Sequence, residues 1–384
     1  MFISWRFLQI GTLSFILSAC ASPQAGTPHA GAAPDRPPQS GMAQTSAAQV
    51  GTTQSGAALP ARTASPVSPE VEAFAKELSA TRDLPTEQVL NLLQAAQFNP
   101  TVSRLIAPAA SGRKIVRSWT VYRQRVVEPV RIRWGVDFWN ENQDMLAQAA
   151  QRYGVPAEII VAIIGVETNY ARNMGSFSVL DALYTLGFQY PDPSRPERQT
   201  MFRNQLGAFL TLVMAGKLDV NSQGSFAGAM GMSQFMPGSI ESYAVDGDGD
   251  GVIDLINSRP DAILSIGNFL VEHGWQRGLP VFAPVRLPSD SSALVDGGLT
   301  PHLQWSELQA AGARTTDSGA GAAWMSHPVG VVNLPDDQHG TVQYRTGTPN
   351  FFALTHYNRS YFYATSVADL AQEVKARRDA NAAR

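Results

Sequence analysis

The chain has 384 residues, is 44% hydrophobic and only 16% charged, and carries a net charge of −3. That is enough apolar material for a sizeable core in two or more lobes, and it excludes a chain disordered throughout. No global basic field favours DNA or RNA, so nucleic acid is not expected as a partner; the single cysteine, Cys20, excludes an intramolecular disulfide and any cysteine-clustered zinc or iron site.

Residues 1–19 read as an export signal. Arg6 supplies positive charge, and Phe7 to Leu17 is an apolar stretch too short to span a bilayer stably. Leu17-Ser18-Ala19-Cys20 closes it and resembles a bacterial lipobox. By that resemblance, cleavage before Cys20 would leave a diacylglycerol on the thiol and a further acyl chain on the new amino terminus, a lasting membrane anchor. An ordinary cleaved signal with an incidental cysteine is the alternative. Ala21 and Ser22 are not the acidic type associated with inner-membrane retention, which points to the periplasmic face of the outer membrane in a Gram-negative cell. Residues 20–68 are mostly Ala, Gly, Pro, Ser, Thr and Gln without Phe, Tyr or Trp. They cannot offset the entropy of ordering and read as a flexible tether.

Structure is expected from Ser68-Pro69-Glu70, an N-cap followed by proline at the first helical position, with Val71, Phe74, Ala75 and Leu78 recurring at helical spacing. A second helix follows Pro85-Thr86, and further helical patterns cover 139–153, 156–166, 179–186, 197–215, 261–273 and 366–377. Between 279 and 348, short apolar segments such as VFAPVRL, VGVVNL and TVQYRT are separated by Gly, Pro and Asp clusters, which predicts a small β-containing lobe. The expected organisation is a helical lobe over 69–155, a second helical block over 156–278, the β-containing lobe over 279–348 and a closing segment over 349–384. The fold class is mainly α, formally α+β. There is no internal repeat, and no separate module is expected after Arg377.

The first stretch with chemistry is IIVAIIGVETNYARN, 159–173. Its apolar body ends on Glu167, near the C-terminal end of the expected helix. There the negative helix dipole and desolvation by Ile163 and Ile164 both disfavour the ionised carboxyl. Moving a glutamate from about 4.3 to about 6 or 7 needs roughly 2 to 4 kcal/mol, which partial burial can supply, and gives a general acid for neutral pH. Helix geometry leaves a second reading open, a glutamate salt-bridged to Arg172 or Arg195.

The second stretch is GSFAGAMGMSQFMPGSIESYA, 224–244. Gly224, Ala227, Gly228, Ala229 and Gly231 allow close approach of a ligand or of neighbouring backbone; Ser225, Ser233 and Gln234 offer hydrogen bonds beside Phe235 and Met236. The mixture suits a sugar, and a tightly packed turn before a helix is the alternative. A phosphate loop is excluded because no Gly-Lys-Ser/Thr follows. The third is Asp246-Gly-Asp248-Gly-Asp250-Gly251, the opening half of a calcium loop, with the Val252 carbonyl at its seventh position. Asn257 stands where an EF-hand has its closing glutamate, so the last ligand must come from elsewhere; Asp261 is the candidate, and a solvated acidic turn is the alternative.

GVETNY, GSFAGAMGMSQFMP, YAVDGDGDGVIDL, HGW and LTHYNRSYFYA, in that order, closely resemble the membrane-bound lytic murein transglycosylase B family, from about Pro69 to the C-terminus. The resemblance implies a core over 156–278 related to goose-type lysozyme, and cleavage of the β-1,4 bond between N-acetylmuramic acid and N-acetylglucosamine in peptidoglycan, with formation of 1,6-anhydro ends. Glu167 aligns with the family's single catalytic carboxylate. By the same matching Ser225, Gln234, Tyr357, Asn358 and Tyr363 would contact the glycan, joined by Tyr122, and Arg195 and Arg198 lie where the family has a basic pair. The resemblance also implies a structural Ca2+ on Asp246, Asp248, Asp250, Val252 and Asp261, no organic cofactor, and cell-wall synthesis or division proteins as further partners. Ala171 replaces a usual glycine, and Phe269 a usual tyrosine. A hydrolytic muramidase of the same fold and a glycan-binding lipoprotein without activity are the competing functions.

Overall fold

The computed structural model describes residues 67–108, 116–316 and 322–383, so the signal, Cys20 and nearly all of the tether lie outside the described residues. All described residues belong to one compact unit, Ala64–Arg384.

The Ser68 hydroxyl accepts the Val71 N–H and starts α1 (Pro69–Arg82), which turns Val71, Phe74, Ala75 and Leu78 inward. α2 (Thr86–Ala95), α3 (Pro100–Ile106), α4 (Trp119–Val126), α5 (Pro129–Glu141) and α6 (Gln143–Tyr153) follow. The pattern predicts a single helix over 139–153, but the chain makes two, because Asn142 gives both its backbone and its side-chain N–H groups to the Phe138 carbonyl and ends α5. α7 (Ala157–Thr168) is buried from Ile159 to Gly165. A helix apolar on every face belongs at the centre of a fold, and α7 packs against α5, α6, α11 (Arg259–Glu272) and α14 (Tyr361–Ala382).

Beyond α7, β1 (Phe177–Ser178) pairs antiparallel with β2 (Gln223–Gly224), bracketing α8 (Val179–Phe188) and α9 (Pro196–Met214). α10 (Pro237–Tyr243) leads to the aspartate loop and α11. A second, smaller apolar cluster gathers Leu279, Ala283, Leu308, Ala313, Trp324, Val329 and Val331. Around it lie β3 (Val285–Arg286), α12 (Trp305–Ala310), β4 (Arg314–Thr315), β5 (Gly330–Asp336) and β6 (Thr341–Gly347). β5 and β6 form an antiparallel hairpin in register from Gly330↔Gly347 to Asp336↔Thr341, on two of the segments expected to be β. α13 (Pro349–Tyr357) and α14 return the chain to the large core. α14 begins five residues before the predicted helix at 366, because the Ser360 hydroxyl caps it at the Tyr363 N–H. The fold is mainly helical, as the sequence indicates. Among the described residues no single helix is long and apolar enough to cross a membrane.

Candidate active site

Glu167 occupies the last turn of α7, where Asn169, Tyr170 and Ala171 reverse the chain with φ of 51°, 60° and 65°. Three consecutive left-handed residues without a glycine are costly, so the surroundings must hold them. Arg131 on α5 donates to Asn169 Oδ1 at 2.9 Å, and the Thr168 hydroxyl accepts the Ala171 N–H at 3.0 Å. The Tyr170 ring is buried against α7 and α5: a Cβ on Gly165 or on Gly135 would stand 2.5 Å from its phenol oxygen. Gly165 therefore lets Tyr170 wedge between the two helices, a role with no local signal in the sequence. Replacing Ala171 with glycine is expected to stabilise the fold by roughly 0.5 to 1 kcal/mol, since it relieves one left-handed alanine. An unchanged or lower denaturation midpoint would contradict that strain.

The Glu167 side chain is half-buried, and the Tyr363 hydroxyl donates to its Oε1 at 2.5 Å. Burial pushes the carboxyl up to about 7, against the opposing pull of the Tyr363 bond. The ion-pair alternative is not realised: Arg172 lies 4.3 Å over the Trp134 ring, and Arg195 pairs with Glu197 at 3.3 Å. Tyrosines surround the carboxyl. Tyr357 stacks on Tyr363 with centroids 6.4 Å apart, and burial first and the Glu167 charge second raise both phenols well above their usual range. The same two causes, in the same order, raise Tyr122 of α4 to about 12. Asn358 ends α13 beside Tyr357. Phe269 fills the space under Tyr357, its centroid 4.8 Å away, and packs on Phe235, Tyr243 and His273.

The 224–236 loop faces this end of α7. Met230 and Phe235 exchange backbone bonds at 2.9 and 3.1 Å, which closes a tight turn through Gly231 (φ 70°) and Gln234 (φ 50°). Three hydrogen bonds fix the turn: Thr168 Oγ1 donates to the Met232 carbonyl at 3.3 Å, Tyr357 to the Ser233 carbonyl at 3.1 Å, and the Met232 N–H reaches the Leu255 carbonyl at 2.8 Å. A Cβ on Gly231 would stand 2.4 Å from the Leu255 oxygen, so here the small residue admits neighbouring backbone rather than a ligand. Gln234 donates its amide to the Met174 and Gly231 carbonyls, leaving its oxygen as the group it can offer a sugar. Ser225 Oγ accepts the Ala227 and Ala229 N–H groups and keeps its proton to donate. Arg195 stands at the N-cap position of α9, and Arg198 one turn in lies 5.8 Å from the Phe202 ring, its Nε buried without a hydrogen-bond partner among the described residues.

Behind the loop, Asp246, Asp248 and Asp261 each bring a carboxylate oxygen within 4.8 Å of the others. Asp246 accepts the Gly251 and Gly249 N–H groups, which hold it below the usual carboxylate range, the Gly251 bond most of all. Asp261, 1% exposed, accepts Gly247 N–H at 2.7 Å and Asp254 N–H at 2.6 Å. Asp250 turns instead to the Val252 N–H at 2.8 Å, and the Val252 side chain is exposed. The three converging carboxylates offer only hard oxygen donors, a set that fits a divalent cation such as calcium.

An apolar helix thus delivers one carboxyl, raised to about 7, to a tyrosine-walled end of a mainly helical scaffold, an arrangement that can offer a proton near neutrality. The chain belongs to the transglycosylase SLT domain family, whose model matches residues 66–372, and it is a lytic transglycosylase. It is 36% identical over 325 residues to the membrane-bound lytic murein transglycosylase B of Escherichia coli K12, covering 80% of this chain and 83% of that one. The structure of the catenated lytic transglycosylase SltB1 from Pseudomonas aeruginosa superposes with a TM-score of 0.72 at 39% identity, over 81% of this chain and 99% of that one. The Escherichia coli lytic transglycosylase Slt35 in complex with calcium superposes with a TM-score of 0.68 at 35% identity, over 81% and 94%.

Proposed function

We propose that the chain cleaves the β-1,4 bond between N-acetylmuramic acid and N-acetylglucosamine in peptidoglycan, with Glu167 as both acid and base. The observation that carries this reading is the half-buried Glu167 carboxyl, raised to about 7 and bonded by Tyr363. The protonated carboxyl gives its proton to the leaving glycosidic oxygen as the bond to C1 breaks. The resulting carboxylate takes the proton of the muramyl C6 hydroxyl, whose oxygen bonds to C1 and closes a 1,6-anhydro ring. No water is consumed, and Glu167 ends neutral, as it began. A second carboxylate is not required when the substrate's own 2-acetamido group stabilises the oxocarbenium-like state.

Tyr363 holds the acid in place, Tyr122 and Tyr357 exclude water around it, and Ser225, the Gln234 oxygen and Asn358 serve the sugar hydroxyls and amides. Arg195 and Arg198 complete the proposed contacts from the start of α9. Mass spectrometry of digested peptidoglycan tests the reading: anhydromuramic ends are expected, and reducing muramic ends alone would make the enzyme a hydrolytic muramidase instead.

Asp246, Asp248 and Asp261 would hold a calcium ion, with Asp250 and the Val252 carbonyl completing its shell. That ion would neutralise the aspartate loop behind Leu255 and take no part in the chemistry. Cys20 would carry the lipid that places the enzyme on the periplasmic face of the outer membrane. The lipobox supports that placement, as does the membrane-bound description of the Escherichia coli relative. A Cys20→Ser chain is expected to leave the membrane fraction, and its retention there would refute the anchor.

A further inference from the structure

α4 carries Tyr122 to the site on one small aromatic contact, Trp119 and Tyr122 packing on Phe362 of α14 with centroids 5.4 and 5.5 Å away. It has eight residues, of which Trp119 alone is buried, and a helix that short does not hold itself together. Polar bonds from other elements add direction to that contact. Asp336 at the end of β5 accepts the Ser118 hydroxyl and the Thr120 N–H, each at 3.1 Å, and the Trp119 indole N–H reaches Gln343 of β6 at 2.9 Å. Further along, Arg123 donates to Asp369 Oδ2 at 2.6 Å, while Arg345 of β6 grips the same carboxylate through two N–H groups at 2.6 and 3.2 Å. Asp369 is 5% exposed, a buried anion shared by guanidinium groups from two other elements. Such forked, charge-assisted bonds fix direction and register as apolar contact cannot.

Tyr122 and Arg123 are consecutive on α4. Their partners Ser366 and Asp369 stand one turn apart on α14, and Tyr363, one turn before Ser366, donates to Glu167. We propose that Asp369 is a positioning residue for the transglycosylase reaction: by binding Arg123 and Arg345 together it locks α4 onto α14 and keeps the Tyr122 phenol beside the Glu167 carboxyl. The proposal rests on Glu167 being the acid. With the lock loosened, Tyr122 withdraws, water reaches the carboxyl, and water competes with the C6 hydroxyl for C1.

The test compares the full chain with Asp369→Asn and with Arg345→Lys, which keeps the charge pair and loses the second arm of the fork. Peptidoglycan is digested with each folded variant across pH. Asp369→Asn is expected to lower kcat by roughly tenfold to a hundredfold with a smaller change in KM. The alkaline limb of its rate profile should move to lower pH, and its share of reducing over anhydro ends should rise. Arg345→Lys should move all three readings the same way by less, and it carries the test if Asp369→Asn does not fold. Folded variants with the wild-type pH limb and product ratio would overturn the proposal, even if they melt earlier, since only a structural role would remain. Absence of anhydro ends from the wild-type digest would instead overturn the reading of the reaction itself.

Discussion

Glu167→Gln is expected to lower lytic turnover by roughly a thousandfold or more, because the step loses both its proton donor and its base. The glutamine can still accept the Tyr363 hydrogen bond, and it removes the cost of ionising a half-buried carboxyl, so the variant should fold at least as stably as the wild type. The pH dependence follows from the same group. Burial raises the carboxyl from an ordinary 4.5 to about 7, and the acid must be protonated to act. Wild-type turnover should therefore decline as pH rises through about 7. Stability follows the linkage for a raised pKa: the contribution of Glu167 is fully present below about 4.5 and is lost as pH rises to about 7. The stability gap between glutamine variant and wild type should open across that window and close below it. Clearing of a peptidoglycan suspension at several pH values, with denaturation midpoints for both proteins, measures all of this. A glutamine variant that clears at the wild-type rate would remove Glu167 from the chemistry.

Asp261→Ala should be the most damaging change outside the site. The carboxylate is 1% exposed and accepts two backbone N–H groups, from Gly247 and Asp254, at 2.7 and 2.6 Å. Charge-assisted bonds contribute about 1.5 to 3 kcal/mol each, and their loss would leave two N–H groups of the loop without an acceptor. A destabilisation of about 3 to 5 kcal/mol is expected, before any ion is considered. If the three carboxylates also hold calcium, a chelator should lower the wild-type melting temperature by several degrees and leave the Asp261→Ala melt unmoved. Scanning calorimetry of the two proteins with and without chelator reads both effects. A wild-type melt indifferent to chelator would refute the ion, and a variant as stable as the wild type would refute the carboxylate's part in the fold.

What was legible in the sequence was local. The apolar run 159–166 announces a buried helix, and Glu167 falls at its C-terminal end by counting turns. Ser68-Pro69 marks a helix start by chemistry confined to four residues, and the segments of the β5–β6 hairpin declare themselves by their apolar content between turn residues. The less legible features depend on reach through space. Whether Glu167 would meet an arginine or a phenol depended on where Tyr363 arrives, 196 residues later. Arg172 was spent on Trp134 instead, and Arg195 on Glu197. The small residues of the 224–231 stretch suited ligand and backbone equally, and only the Leu255 carbonyl beside Gly231 decides for backbone at that position. α4 escapes periodicity because it has no apolar stripe; Asp336, Phe362 and Asp369, all distant in sequence, keep it in place. Tyr170 shows the same limit, since nothing near Gly135 indicates that a phenol will sit against it.

Everything proposed for the reaction turns on one carboxyl raised to about 7 at the end of an apolar helix. Carbon NMR of the enzyme labelled at the glutamate side-chain carboxyls, with Glu167→Gln used to assign the signal, measures that titration directly. A Glu167 midpoint near 7 is the expected result, and a midpoint at the ordinary 4.5 would contradict the account.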